Sequence, residues 1–198
     1  LTADFSVNTD FAQVEEDEQQ VNLTRFSLFF PERRDFFLEG QGIFAFGGGG
    51  SSHGGGGQGG PPSNTPVLFY SRRIGLQEGE TIPMRYGARL TGKAGPYPDG
   101  FLDAKTAEQD LEDGHAYATN FLVARVKRDI LRRSAIGAVF TRRGPSVDGL
   151  PANYAYGLDG NFVFFENLSV DAYVARTDTD GRTGDAVSYR GAIAYTGD

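Results

Sequence analysis

From Tyr86 to its end the chain alternates apolar and polar residues, and the connections between these runs alternate between short and long. Tyr86, Ala88 and Leu90 oppose Gly87, Arg89 and Thr91; Leu122, Ala124 and Val126 oppose Val123, Arg125 and Lys127. The same holds for Leu158, Phe162 and Phe164 against Asp159, Asn161 and Val163, and for Leu168, Val170 and Val174 against Ser169, Asp171 and Tyr173. Successive strand side chains point to opposite faces, so each run makes one apolar or aromatic face and one small, polar or charged face. Several runs last roughly 9 to 12 residues, long for a soluble sheet and suited to a tilted membrane strand.

Three connections are short: GPYPDG (95–100), RDILRR (128–133) and EN (166–167). Three are longer and polar: AEQDLEDGHA (107–116), RGPSVDGLPA (143–152) and DTDGRTGD (178–185). Tight turns on one side and long loops on the other are the pattern of a membrane barrel. In lipid every backbone polar group must pair, which spanning strands achieve by closing on themselves. The expected fold is all-β, an antiparallel up-and-down transmembrane β-barrel, present in part. Both ends look cut through strands, so residues 1–198 read as the N-terminal portion of one such domain. Phe162, Phe164 and Phe165 beside a short turn and Tyr154 and Tyr156 beside a long loop fit two aromatic girdles. A soluble antiparallel sandwich also alternates, but the loop-length pattern and the charges on the non-apolar face weigh against it.

Composition narrows the partners. The net charge of −7 argues against nucleic acid. The absence of cysteine removes disulfides and thiolate chemistry, and no apolar run reaches the ~18 residues of a membrane helix. Outer-membrane lipid is the expected partner, and the bacterial outer membrane the expected location.

The first 80 residues are different. LTADFSVN places Leu1, Ala3, Phe5 and Val7 on one face of a strand, and residues 10–20 are an acidic loop. In SLFFPERRDFFLEGQGIFAFGGGG (27–50) phenylalanines interleave with charge; Pro31 suits a helix start and Gly40 a helix stop. A short helical element, or a loop anchored by its rings, is expected near residues 30–40. Residues 47–64 form a glycine-rich flexible loop by composition, with no phosphate-loop motif, and VLFYSRRIG (67–75) is strand-like.

LTADFSVNTDFAQVEEDEQQVNLTRFSLFFPERRDFFLEG, followed by LFYSRRIG and GARLTGKAG, resembles a bacterial outer-membrane family known as domain of unknown function 5916. The likeness is close over residues 1 to about 93. It implies a barrel usually preceded by a carbohydrate-binding module similar to family 9, a module this sequence does not contain. It brings no catalytic residues with it.

Chemical motifs are sparse, and neither an enzyme nor a cofactor site is expected. DTDGRTGD misses the EF-hand spacing; His53 and His115 lack a serine context. Neighbouring acids such as Glu112 and Asp113 are not placed across a cleft. The more informative group is Arg25, Arg33, Arg34, Arg72, Arg73, Arg89 and Arg125, which with Asp4, Asp103, Asp159 and Asp171 would line a lumen as a salt-bridged wall. Inward charges tune solute selectivity, or they only stiffen the wall. The expected function is passage or surface handling of a solute, with glycan-derived material suggested by the family's usual module. The alternatives are a non-conducting barrel that anchors such a module, and a soluble carbohydrate-binding β-domain.

Overall fold

The computed structural model describes residues 1–9, 32–47, 65–77, 80–111, 114–145, 151–165, 167–184 and 186–196. Eight strands form one antiparallel sheet: β1 (Thr2–Thr9), β4 (Met84–Ala94), β5 (Tyr97–Thr106), β8 (Thr119–Ile130), β9 (Ser134–Pro145), β10 (Asn153–Phe164), β11 (Leu168–Thr179) and β12 (Val187–Tyr195). They lie in that order, each paired with its neighbour in the sequence of the sheet. Two small ribbons, β2 (Leu76–Gln77) with β3 (Glu80–Thr81) and β6 (Gln109–Leu111) with β7 (Gly114–Ala116), stand beside it. At about 3.3 Å per residue, the 12-residue strands β8 to β11 are close to 40 Å long.

The up-and-down order agrees with the alternation of the sequence. Closure does not follow: β1 and β12 are the two outer strands and do not pair with each other. Among the described residues the sheet is open, because nothing satisfies the second edge of either outer strand.

Register keeps each face uniform across the sheet. One row runs Ala3, Leu90, Phe101, Ala124, Phe140, Tyr156 and then the exposed Arg176; the next includes Val126, Ala138, Leu158, Val174 and Tyr189. The opposite face carries Asp4, Arg89, Leu102, Val123 and Thr141 in one row, and Thr91, Gly100, Arg125, Val139 and Gly157 in the next. The charged face is the covered one. Arg89, Thr91, Leu102, Val123, Arg125 and Val139 are buried, while Leu90, Phe101, Val126, Phe140 and Leu158 are exposed. A water-soluble sheet buries its apolar face and wets the other; here the relation is reversed.

The cover is supplied by residues 32–47 and 65–75. α1 (Asp35–Leu38) is a single helical turn, continued by a 3-10 turn over Gln41–Phe44. The expected stop is present: Gly40 takes φ +69°, a left-handed conformation that only glycine adopts without cost. Pro31 lies outside the described residues. Residues 66–70 belong to no strand and Ser71–Arg73 form a 3-10 turn, so VLFYSRRIG is not the strand its composition suggests. It packs across the sheet instead of joining it. The long loop 107–116 contains the β6–β7 ribbon, which the sequence pattern does not signal. The acidic loop at 10–20 and residues 48–64 of the glycine-rich loop lie outside the described residues.

Candidate functional site

Three buried arginines organise the covered face. Arg34 donates from Nε and Nη2 to the two oxygens of Glu32 at 2.8 Å each, and from Nη2 and Nη1 to the carbonyls of Ser71 and Ile74. The Ser71 hydroxyl donates to the same Glu32 carboxylate at 2.6 Å. These contacts tie PERRDFF to SRRIG, and the guanidinium also lies over Phe37, 4.3 Å from the ring centre. Fork-shaped pairing of this kind is both strong and directional.

Arg89 grips the other end of the helical turn. It donates to the carbonyls of Phe36 and Glu39, and to the carboxylates of Glu39 (2.8 Å) and Asp4 (2.5 Å). Arg125 donates to both oxygens of Asp159 at 2.6 and 2.7 Å, beneath the Phe46 ring. Asp159 in turn accepts the Gly47 N–H at 3.0 Å. Among the described residues Arg89 and Arg125 each keep an Nε without a partner, at a cost of about 1–3 kcal/mol apiece, so the fit is good but incomplete.

Glycines in the wall make room for the rings. A Cβ added at Gly87, Gly100 or Gly157 would come within 2.8 Å of Phe36, 2.9 Å of Phe44 or 2.6 Å of Phe46. Interior strand glycines often mark such close approaches. Phe37, Phe44, Ile74, Met84, Leu102 and Val123 then form one apolar cluster, and Phe46, Val139 and Tyr173 another.

The sequence-derived set therefore divides. Arg34, Arg89, Arg125 and Asp159 are drawn into the contacts that hold the covering segment, and Arg72 is buried in that segment. Arg33 and Arg73 are exposed. Asp171 shares the inner face but accepts from Asn161 at 2.6 Å, apart from the arginines. Arg25 lies outside the described residues. Asp103 is a correction: it pairs in register with Ala88 and Leu122, so it sits on the apolar face, where it accepts from Asn120. A single-residue difference in strand parity decides this. Glu32 and Ser71 were missed because nothing in their local sequence announces a partner about 40 residues away. The wall glycines did carry a signal, being interior to strands on the polar face.

No group of three His, Asp or Glu residues among those described is arranged to hold a metal ion. His115, on β7, lies between Asp110 (2.6 Å) and Glu108 (2.9 Å), and its hydrogen bonds to these acids raise its pKa above 6.5. This arrangement contains no serine. It lies on an exposed ribbon, so it supports that ribbon's shape below pH 6.5 and loses the effect as pH rises through the raised pKa.

Residues 1–50 match the family model described as Domain of unknown function (DUF5916). The matched stretch of the family includes β1, the Glu32–Arg34 pair and the rings from Phe36 to Phe46; the likeness over 51–93 lies beyond it. No curated protein and no solved structure matches the chain.

The Glu32 knot has a definite pH sensitivity. Burial alone would raise the Glu32 pKa, but the hydrogen bond and charge of Arg34, with the Ser71 hydroxyl, hold it below 4.5. A depressed carboxylate pKa contributes stability that is full above the unfolded value and disappears as pH falls through the folded one. Protection factors of residues 32–47, taken against the intrinsic amide exchange rate at each pH, are expected to fall below pH 4.5, with little change between there and neutrality. Glu32→Gln should exchange rapidly at every pH and lose the acid step; an acid step that survives in Glu32→Gln would assign it to another group.

Proposed function

We propose that the sheet is the wall of an outer-membrane β-barrel that passes a solute, with residues 32–47 and 65–75 acting as an internal plug. The observation carrying this reading is the reversed burial of the two faces. Phe5 is 80% exposed, Leu158 60%, Val126 52% and Ile193 76%, although arginines on the other face are buried. Contiguous apolar surface on this scale needs an apolar partner, and lipid is the partner that spans many parallel rows.

Charge position supports the same reading. On the apolar face Lys105, Asp103, Arg142 and Asp178 lie toward the long loops, and Asp99 and Arg128 beside short turns. The rows between them are apolar except for Arg176, which continues the Phe140–Tyr156 row on β11, and aromatic residues stand at the turn end, where Phe162 and Phe164 stack at 6.3 Å. That is the distribution of a lipid-facing band with interfacial girdles. No described helix is long and apolar enough to cross a membrane, so any crossing is made by strands.

A second reading, a non-conducting anchor, is favoured by the covered inner face: a plug held by three arginines can simply keep the lumen shut. Glycan-derived material enters through the module that accompanies the family. The soluble carbohydrate-binding alternative is disfavoured by the bare apolar rows.

The test uses the full-length protein, fractionated from cells and run unboiled and boiled on a denaturing gel. A detergent-dependent outer-membrane protein whose mobility changes on boiling is the expected result, followed by ion conductance in a planar bilayer. A mobility change without conductance selects the anchor. A protein soluble without detergent, with no mobility change, overturns the membrane reading.

A further inference from the structure

The inner face is not covered everywhere. At its long-loop end a cavity of about 210 Å³ remains between the wall and Arg73, Gly75, Leu76, Gln77 and Ile82. Its lining includes Phe121 and Arg143, directly opposite each other on β8 and β9, with Arg73, Gln77 and Tyr117.

Its charges differ from those of the plug. Arg34, Arg89 and Arg125 each have a carboxylate within 2.8 Å. Among the described residues the side chains of Arg73 and Arg143 make no ion pair and no hydrogen bond; Arg143 rests over the Phe121 ring at 5.9 Å. No acidic residue among those described lines the cavity, although the chain as a whole carries a net charge of −7. Thr106 and Thr119 also line it, but their hydroxyls already bond to the backbone of Thr119 and Tyr117. The donors left for a guest are two guanidiniums, an amide and a phenol.

We propose that this cavity binds an oxyanion, a carboxylate or phosphate carried on a small polar molecule, at the outer mouth of the plugged barrel. Guanidinium forks match the planar carboxylate and the phosphate edge, which ammonium groups do not. Phe121 and Tyr117 offer apolar surface to the body of the guest. The volume is below the ~300 Å³ of a typical ligand pocket, which selects a small solute or the anionic end of a longer one. The inference rests on the reading of this face as a lumen, and it names the solute class that lumen would admit.

The test is calorimetric titration of the full-length protein in detergent micelles with glycerol phosphate, gluconate and, as the uncharged comparison, glycerol. The expected result is millimolar or tighter binding of at least one anion, none of glycerol, and at least tenfold weakening in Arg143→Gln and Arg73→Gln. Arg143→Lys should keep part of the affinity, since it retains charge and loses the fork. A preference for glycerol phosphate assigns a phosphate guest, and one for gluconate a carboxylate guest. Absence of binding by both anions, or binding unchanged in both glutamine variants, overturns the proposal. The unboiled gel mobility of each variant shows independently that it is folded, and the titration does not depend on conductance, so failure here is separable from failure of the barrel reading.

Discussion

Arg125→Met is expected to destabilise the docked plug by about 3–5 kcal/mol, the cost of leaving one member of a buried ion pair alone. Arg125 is fully buried and gives both terminal nitrogens to Asp159. In the variant the Asp159 carboxylate keeps only the Gly47 N–H. Methionine would fill much of the volume beneath Phe46, so the loss should come from the orphaned charge more than from a cavity. The measurement is guanidinium unfolding of the full-length protein in micelles, with hydrogen exchange of residues 45–47 to localise the effect. Adding Asp159→Leu should recover most of the loss, because replacing both partners removes the uncompensated charge. If the single variant unfolds like the parent and residues 45–47 stay protected, Arg125 does not hold the plug. On the proposed barrel reading, Arg125→Met should also raise any conductance.

The second large effect separates lipid from water. Leu158 lies between Ala138 and Val174 in the middle of the apolar rows and is 60% exposed. If lipid covers it, Leu158→Arg should cost about 2–4 kcal/mol of folding into vesicles, the penalty for arginine near the bilayer midplane. If water covers it, the change should stay within about 0.5 kcal/mol, as for ordinary surface positions. Leu131→Arg is the matched comparison: Leu131 is 75% exposed in the turn between β8 and β9, where a membrane reading predicts about 0–1 kcal/mol. Folded fractions read from unboiled gel mobility across a denaturant series give both numbers. Equal, small effects at the two positions would remove lipid as the partner of this face.

Strand identity was legible because the side-chain period of a strand is 2, and it is visible wherever Leu158 alternates with Asp159 or Leu90 with Arg89. Short turns and the helix stop at Gly40 were legible for the same local reason: glycine supplies a backbone conformation other residues resist. The β6–β7 ribbon was not, since its three-residue strands are too short to show a period. Nor was the placement of VLFYSRRIG, whose composition suits a strand but whose backbone found no edge to join.

By itself the sequence determined the run of antiparallel strands, their order in the sheet and, Asp103 apart, which residues share a face, because alternation and turn chemistry act over a few residues. It also set aside Arg25, Arg33, Arg34, Arg72, Arg73, Arg89 and Arg125 with Asp4, Asp103, Asp159 and Asp171 as one inner-facing group, of which Asp103 lies on the apolar face. The tertiary structure decided what those charges do. Glu32 meets Ser71 across 39 positions and Arg125 meets Asp159 across 34, contacts that depend on where the segments dock and not on any neighbouring residue. It also decided which face is left bare, since either face of an alternating strand can be buried until something covers one of them. Here the phenylalanines of the N-terminal segment cover the charged face, and the apolar face is left for another partner.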